Sequence, residues 1–150
     1  MAERPSFAFV PGESYVPFSV NVFVPHNNQK LSPYYILGVL NSRLLWKWFL
    51  HRAKRRGIGL DINGNVLRKS PIRRINFDNT SEVQLHEGIS ALAKRLSELY
   101  QSLASSTGHK HDLMQRQIEN IERQLDLAVY DLYGLNEPQR ATVDAETHGD

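Results

Sequence analysis

An α+β fold is expected of this chain, with its strands and helices segregated along the sequence. Three observations predict it. The first 25 residues read as strands, with an apolar run at 7–10 and polar-apolar alternation at 19–24. A helical pattern and an Asn63-Gly64 dipeptide between apolar runs follow. The second half holds two leucine- and isoleucine-rich stretches whose apolar residues repeat at spacings of four and three. The architecture implied is a small mixed head (1–79) with a buried central helix. An antiparallel helical hairpin (80–134) and a short helix with a disordered tail (135–150) complete it.

In the head, residues 7–10 are apolar, Pro11-Gly12 marks a turn, and 19–24 alternates until Pro25. Both segments are therefore expected as strands, with Val20, Val22 and Val24 on one face. A loop at 27–30 leads to Ser32-Pro33, a cap followed by the residue best tolerated at the first helical position. One helix is expected from there to about Lys54, apolar on most sides and hence buried. Within it Trp46, Trp48 and Phe49 are expected in the core, and Asn41 and Ser42 to make capping or interhelical hydrogen bonds. Residues 52–59 are basic and glycine-punctuated and are expected as a loop. Residues 58–62 and 66–68 are then expected to pair across a tight Asn63-Gly64 turn, with 70–72 closing the second strand. Asp78-Asn79-Thr80 offers caps for the next helix.

Leu85, Ile89, Leu92, Leu96, Leu99 and Leu103 form one seam, and Met114, Ile118, Ile121, Leu125, Ala128 and Leu132 a second. The breaker Ser105-Ser106-Thr107-Gly108-His109 between them is short enough to force the helices antiparallel. Gly134 is placed to end the second helix in the left-handed conformation. The pattern of Glu119, Glu122 and Asp126 is expected on a solvated face, and Tyr130 and Tyr133 in structural roles.

Charge narrows the function. The net charge is +2, but residues 1–79 hold twelve Lys/Arg against four Asp/Glu, a net of +8. Residues 80–150 hold six against twelve, a net of −6. A basic head on an acidic stalk suits an anionic polymer. Arg52, Lys54, Arg55, Arg56, Arg68, Lys69, Arg73 and Arg74 cluster around the expected hairpin and are the candidate DNA contacts, because a guanidinium fork can engage phosphate or guanine in two parallel bonds. There is no cysteine, which excludes disulfides and thiolate metal sites and suits a cytoplasmic protein. No apolar run is long and uninterrupted enough to span a membrane, and no secretory leader is expected. His109 and His111, in a loop with only Asp112 nearby, make a poor metal site.

Three segments taken in order resemble the TaqI-like C-terminal specificity domain of type II (type IIG) restriction-modification enzymes. They are residues 35–45, with Leu40-Asn41-Ser42-Arg43-Leu44 at the centre, the extended stretch 59–72 ending Ser70-Pro71-Ile72, and 127–137, containing Val129-Tyr130-Asp131-Leu132-Tyr133-Gly134-Leu135. The resemblance implies an α/β domain that grips double-stranded DNA from the side opposite an upstream methyltransferase domain. It departs from the family at Arg73-Arg74, where a proline is usual, and only the distal part of a recognition region is expected. The chain has neither an Asn-Pro-Pro-Tyr nor an Asp-Pro-Pro-Tyr motif, no glycine-rich cofactor turn and no acidic nuclease signature. No catalysis is expected of it. S-adenosylmethionine and Mg²⁺ are expected only for a parent enzyme, which the resemblance suggests is a DNA-adenine methyltransferase, with or without cleavage. The alternative is a coiled-coil interaction module that forms a homodimer through the hairpin without binding DNA.

Overall fold

The computed structural model describes residues 4–17, 20–24 and 30–147. Its elements, in order, are α1 (Pro33–Leu40), α2 (Arg43–Arg52), β1 (Lys54–Arg56), β2 (Gly59–Asp61), α3 (Gly64–Arg68), α4 (Thr80–Leu103), α5 (Gly108–Tyr133) and α6 (Glu137–Thr147). The expected α+β class and the helical hairpin are both present. The expected strand start at Ser19, its stop at Pro25, the loop at 27–29 and the tail at 148–150 lie outside the described residues.

The N-terminal strands are not formed among the described residues, because the extended backbone there has no neighbouring strand to complete a ladder. Side chains substitute locally. The Asn41 amide accepts from the Phe7 N–H and donates to the Phe7 carbonyl, both at 2.9 Å, much as a paired strand would. Phe7 then stacks on Phe49. Val20, Val22 and Val24 are exposed and share no buried face.

The single central helix expected over 33–54 is two helices. Ser32 starts α1 with its hydroxyl accepting from the Tyr34 N–H and Pro33 at the first position, as expected. Asn41 ends α1, and Ser42, in an extended conformation, accepts the Leu45 N–H to begin α2. The capping role expected of this pair is therefore present, but it splits the helix. Tyr35, Val39, Leu45 and Phe49 are fully enclosed, and Trp46 and Trp48 also lie in or against the core.

The expected hairpin at Asn63-Gly64 is displaced by one turn of chain. β1 and β2 pair antiparallel with Lys54 opposite Asp61, Arg55 opposite Leu60 and Arg56 opposite Gly59. Gly57 turns the chain with φ +61°, and among the described residues no non-glycine residue has positive φ, a pattern of the two-residue hairpin loop with glycine first. Residues 54–56, expected as loop, are thus a strand. Asn63 is used differently, its side chain accepting the Asn65 and Val66 N–H groups to cap α3, so 66–68 is helical, and 70–72 forms no strand but a tight turn in which the Ile72 N–H donates to the Ser70 carbonyl at 2.8 Å.

The two long helices match their seams closely. Ile89, Leu96, Leu99, Ile118, Leu125 and Leu132 are buried, and Leu85, Leu92, Leu103, Met114, Ile121 and Ala128 pack against them. Asn79 caps α4 through the Ser81 and Glu82 N–H groups. The connection is 104–107, so His109 and His111, expected in a loop, stand in the first turn of α5. Gly134, at φ +66°, closes α5, with its N–H on the Asp131 carbonyl and that of Leu135 on Tyr130, as the Schellman motif requires. The hairpin also packs on the head. α1 lies across α4 so closely that a side-chain carbon on Gly38 would stand 2.8 Å from Ile89 Cγ2. One apolar core therefore joins Tyr35 and Ile75 to Leu96 and Leu132. Finally α6 packs on α2 through Lys47 and His51, which both reach Glu146 at 2.9 Å. Its last residue, Thr147, expected in a disordered tail, is buried with its hydroxyl on the Val143 carbonyl.

Candidate nucleic-acid interface

The eight candidate cations divide into a displayed group and an anchored residue. Residues 54–58 are all exposed, as are Arg52, Arg68, Lys69 and Arg74. The strand period of two puts Lys54 and Arg56 on one face of the ribbon with Asp61, and Arg55 on the other face with Leu60. Arg56 reaches Asp61 only at 3.9 Å, with its side chain 84% exposed. Such a pair is worth little in water and leaves the guanidinium available. Among the described residues, Arg52, Lys54, Arg55, Lys69 and Arg74 make no ion pair or side-chain hydrogen bond. Arg68 bonds only its neighbour Asn65, at 2.7 Å. α2 ends at Arg52, β1 begins two residues later, and Lys69 caps α3 just after Arg68. The ribbon and its two flanking helix ends thus present their cations within one short stretch of chain.

Arg73 is different. Its guanidinium donates to the Leu132 carbonyl at the C-terminal end of α5 and to Glu82, 3.2 Å away in the first turn of α4. A cation at a helix C-terminus and a carboxylate at an N-terminus both complement the backbone dipoles. Its backbone is held as well. The carbonyl accepts from Tyr35 Oη at 2.7 Å and the N–H donates to Tyr133 Oη at 3.1 Å. Tyr133 Oη in turn donates to the Pro71 carbonyl. Burial pushes both tyrosines' pKa up, so these hydroxyls keep their protons. Arg73 is thus committed to the frame that carries the ribbon.

Two buried polar residues were not legible as such. Asp126, expected on a solvated face, is enclosed at the N-terminus of α2. There it accepts the Arg43 N–H at 2.8 Å and stands 3.3 Å from Arg43 Nε. Burial raises its carboxyl to about 6, against the opposing pull of the Arg43 N–H and the Arg4 and Arg43 charges. Glu122 is likewise half-buried and accepts from Tyr100 Oη at 2.9 Å. Only Glu119 of the three is exposed. His86 is buried between Tyr35 and Phe77 and accepts the Ser32 N–H at 3.0 Å through Nε2, so that nitrogen carries no proton. Burial lowers its pKa. A signal existed for both. His86, Ile89 and Ala93 continue one stripe at helical spacing, and Asp126 sits beside Val129 and Tyr130 on a second stripe outside the leucine seam.

Elsewhere a half-open groove of about 670 Å³ lies between residues 4–9 and α1, α4 and α5, lined by Phe7, Phe9, Leu37, Ala93 and Leu96. Among the described residues no cluster of three or more His, Asp or Glu could hold a metal, and no helix is long and apolar enough to cross a membrane.

The chain is 29% identical over 113 residues, 74% of its length, to the type II restriction enzyme and methyltransferase RM.Eco57I of Escherichia coli. The relation is to a restriction and modification enzyme. The match spans 11% of that enzyme, so the chain corresponds to a small part of its relative. No family model and no solved structure matches the chain.

Proposed function

We propose that this chain is a DNA-binding target-recognition module of a type II restriction-modification system, of the TaqI-like specificity kind, acting on double-stranded DNA alongside a methyltransferase domain. The observation behind it is the displayed row Lys54-Arg55-Arg56 on a two-stranded ribbon, in a chain related to a restriction enzyme and methyltransferase. Arg52, Arg68, Lys69 and Arg74 add cations on either side. These groups would meet phosphates first, which position a protein on the duplex without specifying sequence. Arg73 is withdrawn from the contact set, since its guanidinium is already engaged. Catalysis is assigned to other parts of a longer enzyme, where S-adenosylmethionine and Mg²⁺ would bind.

The rival reading, assembly through the helical seams, has less to stand on. Ile89, Leu96, Leu99, Ile118, Leu125 and Leu132 are buried within one chain and offer no face to a partner helix.

Fluorescence anisotropy on two unrelated duplexes at several salt concentrations tests the proposal. Dissociation constants on the order of 10⁻⁴–10⁻⁶ M are expected near physiological salt, with affinity falling off steeply as salt rises. Replacing Arg55 and Arg56 by Ala should weaken binding to both duplexes alike. It should flatten the salt dependence by about one unit of slope per lost phosphate contact. Unchanged affinity and slope in that variant, with a His109/His111 double variant as control, would remove the ribbon from the DNA surface. A concentration-dependent dimer would then favour the assembly reading.

A further inference from the structure

The turn that joins the basic strand β1 to β2 ends in an apolar side chain. Ile58 is 73% exposed and sits at the second position of a two-residue loop, directly after Lys54, Arg55, Arg56 and Gly57. Nothing in the fold needs an isoleucine there. Gly57 supplies the positive φ the turn requires, and the ribbon is fixed at its base instead. Leu60 and Ile62 pack against the core, and the Asn21 amide donates to the Ile62 carbonyl at 2.8 Å. The result is a firmly rooted ribbon whose two faces bear cations and whose apex bears a branched hydrocarbon.

We propose that the ribbon enters the major groove of duplex DNA and that Ile58 makes the base contact there, packing on the methyl group of thymine. The proposal rests on the DNA-binding reading above and adds to it a residue that senses sequence. Width selects the groove. Two paired strands lie about 4.8 Å apart, and their side chains widen the ribbon to roughly twice that. The major groove, about 12 Å wide, admits such a ribbon, while the minor groove, about 6 Å wide, does not. Chemistry selects the partner. An isoleucine can neither donate nor accept a hydrogen bond, and the one apolar group on a base edge in the major groove is the thymine C5 methyl. The flanking cations fit the phosphates that line that groove on both sides. Arg55 faces one way and Lys54 with Arg56 the other, so both strands of the duplex are within the ribbon's reach.

The test compares one A·T-rich duplex with the same duplex in which every thymine is replaced by deoxyuridine, which removes only the methyl groups. Wild-type protein should bind the thymine duplex more tightly, by about fourfold per methyl covered. Ile58→Ser should bind both duplexes alike and at the weaker affinity, with the salt slope unchanged because no charge is lost. Its melting temperature should match wild type, since the side chain buries little surface. The inference is overturned if wild type binds the two duplexes equally, or if Ile58→Ser keeps the preference for thymine. In either case a flattened salt slope in the Arg55→Ala, Arg56→Ala variant would leave the DNA-binding reading standing. Were that variant also to bind like wild type, or were wild type not to bind either duplex, both readings would fall together.

Discussion

Replacing Asp126 by Asn isolates one buried charge and gives a result opposite to the usual expectation for an ion pair. The Asp126 side chain is 8% exposed, and burial lifts its carboxyl from 3.8 to about 6 although the Arg43 N–H donates to it and the Arg43 guanidinium stands 3.3 Å away. The folded state therefore binds a proton more tightly than the unfolded chain does. Its contribution to stability is fully present below pH 3.8 and shrinks as pH rises through the interval to about 6, above which the ionised group is a net cost. At about 1.4 kcal/mol per pH unit, the whole interval corresponds to about 3 kcal/mol. Asn keeps an oxygen where Oδ1 accepts the Arg43 N–H. Arg43 retains Asp144, 3.7 Å from its Nη1. Urea unfolding at pH 4, 5, 6 and 7 should thus show the variant's advantage over wild type growing with pH and levelling above about 6. Carbon-13 titration of the wild-type carboxyl should give a midpoint near 6. If the Asn variant lost more stability at pH 7 than at pH 4, or the carboxyl titrated below 3.8, the Arg43 pairing would outweigh the desolvation and the reasoning would be refuted.

His86 should act in the opposite direction: its lowered pKa gives stability that is present above 6.5 and lost as pH falls below it, because protonating Nε2 ends its bond from the Ser32 N–H. His86→Gln should accordingly reduce the drop in melting temperature between pH 7 and pH 5. Gly38→Ala places a methyl 2.8 Å from Ile89 Cγ2 and should cost about 1–3 kcal/mol by denaturant unfolding. Gly88→Ala, in α4 with open space around it, should instead stabilise by about 0.5–1 kcal/mol. Arg73→Ala should lower stability by about 0.5–1.5 kcal/mol, because the Leu132 carbonyl loses its donor while Glu82 keeps the Asn76 N–H. It should leave the salt slope of DNA binding unchanged, unlike Arg55→Ala.

The helical half was the legible half because helix signals are local. A seam of six residues, an Asn79 cap and a Gly134 stop each work through neighbours two to five residues away, and all three stand where the sequence places them. The head was legible in composition but not in register, since its turning points depend on which of two competent residues is used. Asn63-Gly64 and Gly57-Ile58 can each reverse a chain. The fold spends Asn63 on capping α3, which leaves the reversal to Gly57. Ser42 likewise has two options, lying quietly within one helix or starting another. The helix breaks beside Asn41, whose amide is taken by Phe7, 34 residues away. No local pattern reports such a contact. The same distinction separates the cations. Arg73 and Arg74 are adjacent and chemically identical, yet only Arg73 meets a helix end and a carboxylate brought there by α4 and α5. Composition could collect the arginines around the ribbon, but only the tertiary contacts sort those holding the frame from those free to hold a phosphate.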